Sequence, residues 1–209
     1  IDFILPILNN INSMVDFGCG NGDIIIKLRE LVPYVKYSGY DNNNKMIELA
    51  KQRNVNVFND FNKVKGDMLF LSSVVHEIFA YCSNSSAIFK DLFQHNYKYI
   101  CIRDIGFSNQ FSLNSTDIER IKTKANRELL KDFTQVYGSI DNTKNALHFL
   151  HKYRYINNWN RELHENYFVY DIEDIVKMIP NNYRIIMLKK YTNDFIKTQI
   201  SKDYNISLN

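Results

Sequence analysis

Three of the seven glycines in this 209-residue chain fall within five positions, as Gly18-Cys19-Gly20-Asn21-Gly22. The run follows an apolar segment, Ser13 to Phe17 (SMVDF), which reads as a strand. It precedes Asp23 to Leu31, where Ile24, Ile25, Leu28 and Leu31 recur at helical spacing. Glycine lets the backbone turn sharply and lets a ligand lie against it with no side chain between. The helix that follows opens with N–H groups that have no partner inside it. A strand, a glycine turn and a helix in this order make the opening unit of a parallel α/β sheet.

The first half repeats the alternation. Tyr37 to Tyr40, Val55 to Phe58, Asp67 to Ser73 and Tyr97 to Arg103 read as strands. Helices are expected over Asn44 to Arg53, with Asn42 or Asn43 as its cap, and from Val74 to Tyr81. Beyond Arg103 the pattern turns helical: one long amphipathic helix over Thr116 to Val136, two over Thr143 to Asn166, and a short one over Ile172 to Ile179 stopped by Pro180. Tyr183 to Lys190 (YRIIMLKK) is expected to return to the sheet as a further strand. The expected organisation is a single domain, residues 1–209, with a cofactor-binding core at 1–110, a helical insertion at 111–180 and a closing strand region at 181–209. The insertion leaves from the carboxyl end of the fifth strand. Open α/β sheets bind ligands on that side, so the insertion is read as a substrate lid.

Composition narrows the class. Hydrophobic residues at 45% and charged residues at 23% describe a globular chain. A net charge of +3 allows a nucleic-acid partner without demanding one. Cys19, Cys82 and Cys101 are spaced for neither a disulfide framework nor a zinc cluster, which suits a reducing cytoplasm. No apolar run approaches the roughly 20 residues that span a bilayer, so no membrane partner is expected. His148 and His151 have no matching set of cysteines or carboxylates, so no metal is expected. Lys122, Lys124, Arg127 and Lys131, with Glu119 and Glu128, read as a solvated helix face.

The glycine spacing separates two ligand classes. A dinucleotide site needs G-x-G-x-x-G; here it is G-x-G-x-G, and Asp23 at the next position would repel a pyrophosphate. Asp16, just before the loop, suits a ligand with a cationic amino-acid end. Asp41 closes the second strand about 20 residues further on, where an acid can take both ribose hydroxyls.

The segments VDFGCGNG and GYDNNNKMIELAK resemble consecutive motifs of the class I S-adenosylmethionine-dependent methyltransferases, and LSSVVHEI is similar to the S-x-x-x-H-E stretch of many type 11/12 members. The likeness covers about residues 10 to 110. It implies a Rossmann-like, doubly wound sheet, here with an incomplete C-terminal strand pair, and S-adenosyl-L-methionine as cofactor. It assigns cofactor contacts to Asp16, Gly18, Cys19, Gly20, Gly22, Asp41, Asn42, Met46, Asp60, Phe61 and Ser72, with Met46 facing the adenine, Asp60 reaching its amino group and Phe61 packing on its ring.

The end of the fourth strand would lie beside the transferring methyl. There His76 is a candidate general base, since an imidazole titrates near neutrality, and Glu77 would orient it or bind substrate. No D/N-P-P-Y/F motif, no Pro-Cys nucleophile and no Lys-Asp-Lys-Glu tetrad is found, which argues against three nucleic-acid methylation chemistries. What remains is transfer to an oxygen or nitrogen nucleophile of an RNA, a nucleotide-like ligand or a small molecule. Asp104 at the pocket rim is a candidate substrate contact. So are Tyr155 and Trp159, in the aromatic and basic stretch His148 to Tyr170, where Tyr155, Trp159, Glu162 and Leu163 would share one helix face. The alternative is a non-catalytic methyltransferase-fold subunit or regulatory domain of a larger protein.

Overall fold

Strands buried on both faces need no polar alternation, and SMVDF and MLFLS have almost none. In the computed structural model, which describes residues 3–208, the chain divides into two units, one up to Asp104 and one from Ile105 onward. In the first, α1 (Leu5–Leu8) leads into β1 (Ser13–Phe17), α2 (Asp23–Leu31), β2 (Lys36–Tyr40), α3 (Asn44–Gln52), β3 (Val57–Phe58), β4 (Met68–Ser72), α4 (Val75–Tyr81), α5 (Ser85–Gln94) and β5 (Tyr99–Arg103). All strand pairs are parallel, in the order β3-β2-β1-β4-β5.

From β1 the chain winds outward through β2 and β3, then returns to build β4 and β5 on the other side. The order reverses between β1 and β4, and a crevice at their carboxyl ends is the place where such sheets hold ligands. Ile25 and Leu28 of α2 and Ile47 and Ala50 of α3 pack with Met14 and Phe70 into one apolar cluster. Asn43 caps α3, its side chain accepting the N–H groups of Lys45 and Met46. Of the two candidate caps, the structure therefore selects Asn43 over Asn42.

The second unit is helical: α6 (Ser115–Lys124), α7 (Arg127–Tyr137), α8 (Thr143–Lys152), α9 (Trp159–His164), α10 (Ile172–Met178) and α11 (Asp194–Tyr204). Its core gathers Ile121, Phe133, Phe149, Leu150 and Ile200, all fully buried. Two expectations are corrected here. The single helix over Thr116 to Val136 is two. Ala125 is extended, and the Asn126 side chain accepts the N–H groups of Glu128 and Leu129 at 2.9 and 3.2 Å, so a local cap outcompetes the continuing helix. Tyr183 to Lys190 forms no strand among the described residues. Its apolar run lies exposed, Ile186 by 61%, because strand propensity without a paired neighbour makes no ladder.

A buried cation organises this unit. Lys152, at the end of α8, is fully buried. Its ammonium donates to the backbone carbonyls of Glu162 and Glu165 at the end of α9 and lies 4.6 Å from the Tyr167 ring centre. Burial lowers the Lys152 pKa to about 8, against the opposing pull of Glu162 and Glu165.

Candidate cofactor and active site

The glycine loop bridges β1 and α2 at the reversal point. Gly18, Gly20 and Gly22 all take positive φ, at 75°, 54° and 83°, a region that only glycine enters routinely. The three are not equivalent. A Cβ on Gly18 would come within 2.7 Å of Val74, and one on Gly22 within 2.6 Å of Val55, so these two are held by packing against the protein itself. Nothing lies within 4 Å of a Cβ on Gly20, which leaves open space over the middle of the loop. Cys19 is buried, and burial beside Asp16 and Asp41 pushes its thiol up to about 12, so it packs as a small apolar group.

The loop is anchored to β2. Gly18 and Cys19 donate their N–H groups to the Tyr40 carbonyl at 2.8 and 3.0 Å. Gly20 N–H donates to Asp41 Oδ2 at 2.8 Å, and Asn43 N–H to Asp41 Oδ1 at 2.8 Å. Each Asp41 oxygen is thus fixed by one backbone donor and keeps a second acceptor site. At the start of α2, Asp23 pairs with Arg53 at 2.5 Å, and Arg53 also donates to the Asn21 carbonyl at 3.1 Å.

Asp16 sits at 2% exposure on β1, beside Asp41, and its Oδ2 has no hydrogen-bond partner among the described residues. Burial, and secondarily the Asp41 charge, raises its pKa from 3.8 to about 7. A buried carboxylate with an unmet oxygen on the strand that leads into an open glycine loop, with an anchored second acid nearby, has the chemistry to receive a cationic group on a molecule that also carries a diol. That is the chemistry of S-adenosylmethionine, and these residues fit it.

The other expected cofactor residues are distributed as follows. Met46 is half-buried on the first turn of α3, while Asn42 is exposed. Asp60 caps the turn Phe61–Lys63 by accepting the Asn62 N–H at 3.1 Å, and pairs with Lys63 at 3.6 Å. Phe61 packs with Phe17, Tyr40 and His95 at ring distances of 5.0, 5.4 and 4.6 Å. Ser72, half-buried, ends β4 opposite Arg103.

At that end of β4 the structure adds a partner for His76. Asp104 Oδ1 lies 2.6 Å from the imidazole Nδ1, with side chains 4% and 1% exposed. The other Asp104 oxygen accepts the His76 backbone N–H at 3.0 Å. Asp104, expected at the pocket rim, is thus buried against His76, and Glu77 on the next position of α4 is exposed. One signal could have found this pair. Parallel neighbours β4 and β5 end level, Ser72 opposite Arg103, so the residues that follow them meet.

In the helical unit, Tyr155 and Trp159 do not share a helix face, because the chain leaves α8 at Lys152 and makes a 3-10 turn over Ile156–Asn158 before α9. Tyr155 is 42% exposed. Trp159 packs on the helical core and donates Nε1–H to Asp132 at 3.1 Å.

A parallel sheet with a glycine cradle and an acid at the end of the second strand defines a nucleoside-cofactor domain of the class I methyltransferase type. Residues 9–154 match a family model described as "Methyltransferase domain". The chain belongs to that family of methyltransferases, whose cofactor is S-adenosylmethionine. Similar solved structures include the StiE O-methyltransferase domain, 23% identical over 56% of this chain and 45% of that one, with a TM-score of 0.38. They also include the plantazolicin methyltransferase BpumL with S-adenosylhomocysteine bound, 14% identical over 92% and 56%, with a TM-score of 0.42. A third is human N-acetylserotonin methyltransferase with S-adenosylmethionine, 21% identical over 42% and 27%, with a TM-score of 0.35. The chain spans roughly half of these proteins or less. No curated protein sequence matches it. No helix among the described residues is long and apolar enough to cross a membrane.

Proposed function

We propose that this chain transfers a methyl group from S-adenosylmethionine to an oxygen or nitrogen nucleophile of an RNA, nucleotide-like or small-molecule acceptor. The observation that carries the reading is the unmet oxygen of buried Asp16 beside the open backbone of Gly20. In this reading Asp16 receives the ammonium of the cofactor. Gly20 lets its methionine portion lie on the loop, and the free acceptor sites of Asp41 take the ribose hydroxyls. When bound, the cofactor supplies an electrophilic methyl on a sulfonium.

His76 acts on the acceptor. With the Nδ1 proton directed at Asp104, the basic lone pair falls on Nε2, which takes the proton of the attacking O–H or N–H group. Asp104 fixes the ring and stabilises the imidazolium, as a buried carboxylate does for a catalytic histidine. The helical residues 111–180 supply acceptor selection as part of the same working domain, and the free thiols of Cys19, Cys82 and Cys101 are compatible with a reducing cytoplasm.

Calorimetric titration with S-adenosylhomocysteine tests the cofactor half. Asp41→Ala removes the ribose acceptors and the anchor of Gly20 N–H together, and should weaken binding by about 3 kcal/mol. An unchanged dissociation constant would place the ribose elsewhere. The catalytic half is tested by Asp104→Asn, which keeps an oxygen for the His76 N–H but frees the imidazole. Turnover should fall about a hundredfold, with the acidic limb of the pH profile shifted and cofactor affinity retained. A variant with wild-type kcat and pH profile removes His76 from the base role.

A further inference from the structure

Helix α7 opens with two cations one turn apart that meet no carboxylate. Arg127 and Lys131, at i and i+4, are both exposed, and neither makes an ion pair among the described residues. Like charges at this spacing disfavour a helix, so a solvated face of matched pairs does not describe them. The nearby acids contact other groups or pair with neither cation. Glu119 and Asp141 are bound to Lys122 at 2.7 and 2.6 Å, Asp132 accepts the Trp159 indole, and Glu128 pairs with neither cation.

The two cations border an open cavity of about 380 Å³, lined also by Lys122, Thr134 and Ser139 and by the apolar side chains of Leu130 and Ile140. The lining residues Ser139 and Ile140 follow Gly138, which leaves the helix with φ at 84°. The backbone N–H groups of Ser139 and Ile140 donate to no acceptor among the described residues.

We propose that this cavity binds the phosphate group of a phosphorylated organic ligand. Arg127 offers a fork for two phosphate oxygens and Lys131 a point charge beside it. The loop N–H groups of residues 139 and 140 are spare donors of the kind that anions collect. Leu130 and Ile140 give the organic portion an apolar seat, which free phosphate would not use. The cavity lies within the helical unit, and its assignment does not depend on the methyl-transfer reading.

The test is calorimetry on the full chain at low salt with three ligands: a pyrimidine nucleoside monophosphate, its unphosphorylated nucleoside, and inorganic phosphate. A pyrimidine avoids confusion with a site built for adenine. The monophosphate should bind at micromolar to millimolar concentrations and weaken with added salt, and the nucleoside should be silent. Tighter binding of the monophosphate than of inorganic phosphate supports the organic source, whereas equal binding overturns that part and leaves a free-phosphate site. Arg127→Ala/Lys131→Ala should weaken the monophosphate about tenfold or more, while Lys202→Ala on α11 should not. Binding that survives the double variant, or no heat from either phosphate at millimolar concentration, overturns the proposal. S-adenosylhomocysteine titrated into the same double variant should bind as in the wild type, so that a failure here stands apart from a failure of the cofactor reading.

Discussion

Asp16→Asn is expected to make the protein more stable above neutrality and poorer at holding its cofactor. The wild-type carboxyl titrates at about 7 when folded against 3.8 as an ordinary aspartate. Between roughly pH 4 and 7 the folded chain keeps a proton that the unfolded chain releases, so stability falls as pH rises through that window. Above it the whole cost of a buried, poorly solvated charge is present. Asparagine has the same shape and no charge. Urea unfolding should show the variant more stable than the wild type by on the order of 2 kcal/mol at pH 8, with the pH slope gone.

Cofactor binding should move the other way. An ammonium favours ionised Asp16, so wild-type affinity for S-adenosylhomocysteine should climb between pH 6 and 8 and level off above the folded pKa of about 7. The variant should bind more weakly by about 1.5–3 kcal/mol with a flat profile. A variant no more stable than the wild type at pH 8 would mean that Asp16 is not the strained carboxylate described here.

Lys152→Met should be the most damaging single change in the helical unit. Methionine matches the length of lysine, yet it leaves the Glu162 and Glu165 carbonyls without their donor and the buried Glu162 side chain without the lysine charge it acts on. Removing one member of a buried charged group costs about 3–5 kcal/mol, and removing both often costs little. Lys152→Met/Glu162→Leu should therefore recover most of the loss in urea unfolding. If the double variant is as unstable as the single one, the carbonyl contacts carry the effect and the charge pairing does not.

The pH signature is specific to the lysine. Its folded pKa of about 8 lies below the 10.5 of an ordinary lysine, so the unfolded chain binds the extra proton between those values. Wild-type stability should rise with pH from about 8 to about 10, and the variants should lack that rise.

The cofactor half was legible in the sequence because its signals are local. The apolar runs at Ser13–Phe17 and Met68–Ser72 have no polar alternation, and three glycines with positive φ sit between a strand and a helix. Each of these is written in consecutive residues. The pairing of His76 with Asp104 is not, since it arises from the level ends of two parallel strands and spans 28 positions. Glu77 is suggested by adjacency in the chain, a signal that cannot reach across to Asp104. The break at Asn126 was hidden by helical periodicity on both sides of it, where one side chain turned back on two N–H groups decides the outcome. At Tyr183 to Lys190 composition suggested a strand, but a strand is a relation between two segments and composition describes only one.

Cys19 and Gly39 occupy one another's space. A Cβ on Gly39 would overlap the Cys19 thiol and lie 2.8 Å from its Cβ. The loop residue has room for a sulfur only because the strand residue facing it has no side chain. Evolutionary drift at this point is therefore coupled. A lineage that places alanine or serine at position 39 must first shrink position 19, and an intermediate carrying the larger residue at both would distort the loop before it lost any contact to the cofactor. The two positions should behave as one inherited unit, with their combined volume constrained more tightly than either identity.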